Sequence, residues 1–430
     1  MLNEVYRVLG SEKQSRPSGS LVGFLDLGSS KNTCLIVAPD KPSKRSRLGA
    51  SIIGASCLRS RGIKSGVVTD FDEAERSVRA CVSQAELMAG DTLDTVTIAF
   101  SCGRLGSEIF AANAEIPSGV VADDDIARCI RGGRSYAVRE GRRLVHMNQL
   151  NYRLDGQSGA RSPRNMAARR LTADLHAVTA DPEPLHNLAM LAGRCYLKVG
   201  GLVVAPYASA IAAASAQERQ LGITVIDIGG GTVKIAQFAE GHFVRTEVIS
   251  VGADHITSDI ARTLQTPFAE AERIKALYGT LVSAQSDSHE TFSYTLAGEE
   301  DAGMHQSSKA SLSEIISHRT AMIASLISER LDSSRVAELV GDKIVLTGGG
   351  SELVGMAEFM ANHLGRSVRV AKPSPQFALP ENLSGPGFST VVGMVAAGFS
   401  DSGGLMRIEN GEAPPTGYLG RVGRWLMTGL

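Results

Sequence analysis

VIDIGGGTVKIAQF, Val225–Phe238, is the stretch whose reading decides the fold. It begins as an apolar, β-branched run, which reads as a buried strand. Asp227 stands at the strand end, followed by Gly229, Gly230, Gly231 and Thr232. A second alternating run follows at once, so the glycines read as the tight turn of a β-hairpin. Glycine lets backbone N–H groups approach an anion, and a carboxylate beside such a turn can hold a hydrated divalent cation through its waters. Strand, Asp, glycine turn, strand is therefore a candidate magnesium–phosphate site. An ordinary glycine hairpin shares the same local pattern.

The layout occurs twice. In LVGFLDLGSSKNTCLIV, Leu21–Val37, Asp26-Leu27-Gly28 repeats Asp227-Ile228-Gly229, again between two strand-like runs. A repeated Asp-x-Gly hairpin implies two similar lobes facing one ligand. Lys31 and Asn32 follow the first turn and could reach phosphate; a solvated turn lysine is the plainer reading of Lys31. A third ligand-type element is KIVLTGGGSELVGMAEFMANHL, Lys343–Leu364, where a strand meets Gly348, Gly349 and Gly350 and then a helix. α/β folds place ligands at such strand ends.

Working outward, 430 residues are more than one core usually serves, so two or more lobes are expected. The net charge of −1 provides no global attraction to nucleic acid or an anionic surface. The six cysteines contain no CxxC pair, which argues against a zinc site and suits a reducing compartment. The N-terminus does not read as a secretory signal, and Gly201–Ala216, the longest weakly polar run, is too short and interrupted to span a bilayer.

Asp72–Ala89 carries apolar residues at helical spacing, with Asp70 or Asp72 as cap and Gly90 as stop. Residues 103–167 change character and read as a small inserted domain with an arginine-bearing face between Arg131 and Arg170. Glu272 and Lys275, three apart on a predicted helix over 269–279, share one side. Residues 281–310 read as a mobile loop or irregular hairpin. Residues 1–20 read as a disordered tail and 400–417 as a linker by composition. In YLGRVGRWLMTGL, residues 418–430, helical spacing places Tyr418, Leu419, Val422, Trp425 and Leu426 on one side, opposite Arg421 and Arg424. That is the pattern of an interfacial membrane helix; a tail folded back on the body is the alternative.

These motifs resemble the actin superfamily of ATP-binding proteins, and within it the FtsA family of bacterial cell-division proteins. The segments that carry the resemblance are SRGIKSGVVTDFDEAERSV, QAELMAG, LGITVIDIGGGTVKIAQF, TSDIARTLQTPFAEAERIKALYG and IVLTGGGSELVGM. The resemblance implies an α/β, actin-like two-lobed fold: two RNase H-like domains around a nucleotide cleft, with an FtsA-type 1C subdomain. It implies subdomain 1A at 21–102 and 168–203, 1C at 103–167, 2A at 204–240 and 340–399 with a closing core helix, and 2B at 241–339.

By the same resemblance Asp26, Gly28, Ser29, Ser30 and Lys31 form the first phosphate motif. Asp227, Gly229, Gly230, Gly231 and Thr232 form the second. Glu272 and Lys275 would contact ribose and adenine, and Gly348, Gly349 and Gly350 the adenosine. ATP and Mg2+ are the implied cofactors, with Asp26 and Asp227 holding the metal through water. Implied partners are the FtsZ C-terminal tail (docking near Arg319), further copies of the chain in a head-to-tail polymer, later divisome proteins, and the anionic inner membrane at midcell. The inter-lobe segment VVAPYASA, Val203–Ala210, carries no acid or amide to position water, so hydrolysis is expected to be slow or absent. A type IV pilus assembly protein and a soluble chaperone or sugar kinase of the same fold are the rival readings.

Overall fold

The computed structural model describes residues 21–39, 50–102, 104–138, 141–160, 162–282, 284–298, 303–334, 336–374 and 381–399, with short strands at 8–9 and 406–408. Two sheets of one design form the body. The first runs Ala50–Arg59, Lys31–Pro39, Val22–Leu27, Thr95–Phe100, Lys198–Val204. Its first three strands are antiparallel and the next two join in parallel. The second runs His242–Ile249, Val233–Ala239, Ile223–Ile228, Lys343–Thr347, Ser367–Val370, with the same senses. The central strands are buried on both faces, which explains their unbroken apolar runs. Two copies of one five-stranded pattern are the expected α/β two-lobed architecture.

Local chemistry sets the helix ends. The Asp70 carboxylate accepts from the N–H groups of Asp72 and Glu73, and Gly90 adopts φ +72° to close helix Phe71–Ala89. That helix buries Ala74, Val78, Cys81, Val82 and Ala85 against the first sheet.

Two nearly all-buried helices, Ala205–Ala213 and Ser389–Phe399, join the lobes. Their contact is so close that a Cβ built on Gly393 would lie 1.7 Å from the Ala208 carbonyl oxygen.

The inserted domain is a four-stranded antiparallel sheet in the order Gln157–Ala160, Arg143–Leu154, Arg170–Ala180, Gly106–Glu115. Helix Asp123–Ala137 covers one face and buries Cys129 among Leu171, Leu175 and Ala112. Its arginines are largely satisfied locally: Arg128 pairs with Asp125, Arg153 with Asp174, Arg164 with Asp123, and Arg170 with Glu115.

A buried polar joint fixes this domain against the second lobe. Asn148 donates through Nδ2 to the Phe243 carbonyl at 3.1 Å, so its Oδ1 is the acceptor that meets His146 Nε2 and His176 Nδ1, each at 3.2 Å. His176 Nε2 then accepts from Ser107, whose oxygen accepts the Thr246 N–H. Burial pushes the pKa of His146 down to about 4; burial and the neighbouring His146 push that of His176 to about 3.

Four sequence expectations change. Arg170–Ala180 does not resume the first lobe at 168; it is an inner strand of the inserted sheet, paired on both sides. His242–Ile249 is not part of a separate 241–339 unit, because it closes the edge of the second main sheet. Residues 1–20 and 400–417 are not wholly tail and linker. Met406–Arg407 pairs with Gly201–Leu202, and Val8–Leu9 with Arg407–Ile408, covering the open edge of strand Lys198–Val204. Within 281–310, Thr291–Tyr294 and His305–Ser308 form a regular hairpin.

Candidate functional site

The three glycine turns meet at one cavity of about 420 Å³ between the lobes. The two hairpin turns close identically: Gly28 N–H donates to Lys31 O at 3.0 Å, and Gly229 N–H to Thr232 O at 2.8 Å. The third turn differs from expectation, since Gly349–Glu352 forms a 3-10 turn before helix Met356–Leu364 begins. Gly348 has φ +84°, and a Cβ there would lie 2.2 Å from Asp227 Oδ1, so only glycine fits. A Cβ on Gly349 would meet nothing within 4 Å, leaving its backbone open to the cavity. Every residue assigned from the sequence to phosphate, ribose or adenosine lines this cavity, although the two Asp hairpins come from opposite lobes.

The two aspartates are not equivalent. Asp227 Oδ2 accepts from Ser209 at 2.6 Å, Lys234 Nζ at 3.0 Å and Thr390 at 3.1 Å. Burial opposes its charge, yet Lys234 and the hydroxyl donors hold its carboxyl below the usual range. Asp26 accepts no side-chain hydrogen bond among the described residues, and burial pushes its carboxyl up against the opposing pull of Lys234. Asp26 is thus the carboxylate left available for a hydrated cation, whereas Asp227 already holds an ammonium. Lys31 lies over the Phe388 ring, 3.6 Å from its centroid.

The lobes are latched directly above the two glycine hairpin turns. Ser30 Oγ donates to both Asp254 carboxylate oxygens at 2.8 and 3.0 Å. Ser65 Oγ donates to Gly231 O at 2.9 Å, while its N–H donates to Ser29 Oγ, also at 2.9 Å. Ser65 stands at φ +47° in a two-residue hairpin turn with Gly66 at +77°, a left-handed pair that aims both groups at the cleft. Gly230 and Gly231 permit this approach, because a Cβ on either would fall 1.9 Å from Ser30 Oγ or 2.2 Å from Ser29 Oγ.

On the far wall Lys275 Nζ donates to Glu272 Oε2 at 2.7 Å and to Thr257 Oγ1 at 2.6 Å, and Thr257 donates to the same Glu272 oxygen at 2.6 Å. Arg319 lies away from the cleft on helix Lys309–Asp332, where it grips Asp259 with two hydrogen bonds of 2.5 and 2.9 Å. Tyr418, Leu419, Arg421, Val422, Arg424, Trp425 and Leu426 lie outside the described residues.

Sequence reasoning missed Lys234, Ser65, Asp254 and Phe388. Only Lys234 carried a local signal: hairpin register places it directly across from Asp227.

A family model for "SHS2 domain inserted in FTSA" matches residues 103–179, and one for "Cell division protein FtsA" matches residues 224–393. The cell division protein FtsA of Agrobacterium fabrum is 35% identical over 421 residues, covering 94% of each chain. The chain belongs to the FtsA family. FtsA of Escherichia coli K12 is 29% identical over 417 residues, covering 94% of this chain and 97% of its own. The inserted-domain match ends within strand Arg170–Ala180, the last strand in sequence of the four-stranded sheet, so the insertion here runs to about 180 rather than 167. Solved structures show the actin-like fold. The PilM–PilN type IV pilus biogenesis complex aligns with TM-score 0.61 at 16% identity, covering 90% of this chain and all of that one. MreB 5 of Spiroplasma citri, solved with AMPPNP, aligns with TM-score 0.51 at 15% identity, covering 89% and 96%.

Proposed function

We propose that this member of the FtsA family binds ATP between its lobes and polymerises head to tail. In that form it tethers the FtsZ ring to the cytoplasmic face of the inner membrane and recruits later division proteins. The observation that carries the reading is the latched cleft: both phosphate-type turns face one cavity and are bonded across it by Ser30–Asp254 and Ser65–Gly231. A ligand held by both hairpins favours closure, because only the closed form presents both sets of N–H groups to it.

The residues suit Mg2+ at Asp26, where the ion would supply charge to the phosphates. Hydrolysis has little support from this chain's own groups. Val203–Ala210 offers Ser209, which is committed as a donor to Asp227. The site therefore works as an assembly switch.

Residues 418–430 would attach each subunit weakly, and polymerisation would convert many weak contacts into a firm one. Removing residues 418–430 should abolish sedimentation with anionic liposomes while leaving ATP binding intact. A truncated chain that still sediments with vesicles would sink the tether.

The pilus reading is separated by a pull-down with the FtsZ C-terminal peptide. Arg319→Glu is a poor probe for this, since it places two acids together where Arg319 grips Asp259. Arg319→Lys keeps the charge and is the better variant.

A further inference from the structure

The floor of the cleft carries a resident cation. Lys234 extends from the second hairpin strand, directly opposite Asp227, and its Nζ lies 3.0 Å from Asp227 Oδ2. The two side chains are only 11% and 5% exposed. The ammonium also reaches the phosphate turn: it lies 3.6 Å from the place a Cβ on Gly229 would occupy, and it lines the same cavity as Asp26, Gly28 and Lys31.

The first hairpin lacks this feature. Its residue opposite Asp26 is Thr33, so the lysine is not something the hairpin geometry requires. Lys31 and Lys234 offset the formal charges of Asp26 and Asp227 before any ligand enters, while Lys275, Asp254, Glu272 and Glu352 make up the rest of the charged lining. Two bare carboxylates would repel a polyphosphate unless a divalent cation stood between them. Here an ammonium already stands on one of them, and the bonded oxygen of Asp227 is shared by three donors.

We propose that Lys234 acts as a built-in cation of this cleft, so that the chain holds a nucleoside triphosphate with little dependence on divalent metal. The inference rests on the reading of the cleft as a nucleotide site. Lys234 is a positioning residue here: it neutralises Asp227 and presents positive charge to the phosphates at the Gly229 turn. A fixed ammonium cannot shed ligands or exchange, so the phosphates are gripped without the mobile Lewis acid that hydrolysis uses.

The test is equilibrium binding of a fluorescent ATP analogue to the full chain, in excess Mg2+ and in EDTA. For the parent protein the dissociation constant should change by less than about threefold between the two conditions. Lys234→Gln should bind at least about tenfold more weakly in EDTA, with Mg2+ restoring most of the loss.

Lys234→Gln leaves Asp227 with only two neutral donors, so a second variant guards against misfolding. Lys234→Gln combined with Asp227→Asn removes both charges from the buried pair, and its Mg2+ dependence should be weaker than that of the single variant. Parent binding that collapses in EDTA overturns the assignment of Lys234 alone. Lys234→Gln binding that matches the parent in EDTA does the same. A parent that binds no nucleotide under either condition overturns the nucleotide reading of the cleft and this inference with it.

Discussion

Replacing Gly230 by alanine should wedge the cleft open without unfolding either lobe. Gly230 is not in a left-handed conformation, so its backbone tolerates a side chain; the obstacle is steric. The new methyl would lie 1.9 Å from Ser30 Oγ and 2.8 Å from both Asp254 carboxylate oxygens. Ser30 belongs to one lobe and Asp254 to the other, so the methyl is accommodated by parting them. That breaks a charge-assisted hydrogen bond, which contributes about 1.5 kcal/mol at the low end expected for a partly solvated pair. At about 1.4 kcal/mol per decade, the closed-to-open ratio falls roughly tenfold, and apparent nucleotide affinity falls by up to that factor.

Two measurements check this. Nucleotide titration should show a weakening of up to about tenfold, and small-angle scattering should show a larger radius of gyration in the presence of nucleotide. The melting temperature should move by no more than about 2 °C, since no core contact is lost. A double-mutant cycle with Ser30→Gly isolates the cause. In that background the atom at 1.9 Å is gone, so Gly230→Ala should lose much less affinity. Parent-like binding by Gly230→Ala, or an equal loss in both backgrounds, would refute the latch.

Two further outcomes follow from the geometry. Gly348→Ala combines φ +84° with a 2.2 Å approach to Asp227 Oδ1, and should destabilise the second lobe by about 2–3 kcal/mol in urea titrations. The joint at the inserted domain should make the protein acid-sensitive: His146 and His176 have folded pKa values of about 4 and 3, below the ordinary value near 6.5. The unfolded chain therefore binds protons first, so stability is full above about pH 6.5 and declines by a few kcal/mol as pH falls towards 4. Thermal melts across that range should show the decline, and a His146→Gln, His176→Asn variant should flatten it.

Much of the site was legible because its chemistry is local. Asp, glycine turn and alternating strand are neighbours in the chain, and a hairpin is specified by the residues that form it. The same is true of helix Phe71–Ala89, whose cap, apolar spacing and terminating Gly90 all lie within the segment. Lys234 was legible in principle, since cross-strand pairing follows from register once the hairpin is drawn. Strand Arg143–Leu154 was missed because its arginines, asparagines and histidine mask the alternation that reports one buried face. Residues 168–180 were given to the first lobe rather than to the inserted domain, because the choice of a strand's partners is not local.

The sequence by itself determined the two Asp-Gly hairpins, the third glycine turn, and the duplication that brings them to one cavity. Only the tertiary structure decided what those hairpins do to each other. Ser30 meets Asp254, and Ser65 meets Gly231, across spans of more than a hundred residues. Asp227 became the occupied carboxylate and Asp26 the free one because Ser209 and Thr390 arrive on the two helices that join the lobes. Local sequence specifies which backbone turns exist; the packing of distant elements sets which charges are already satisfied when they meet.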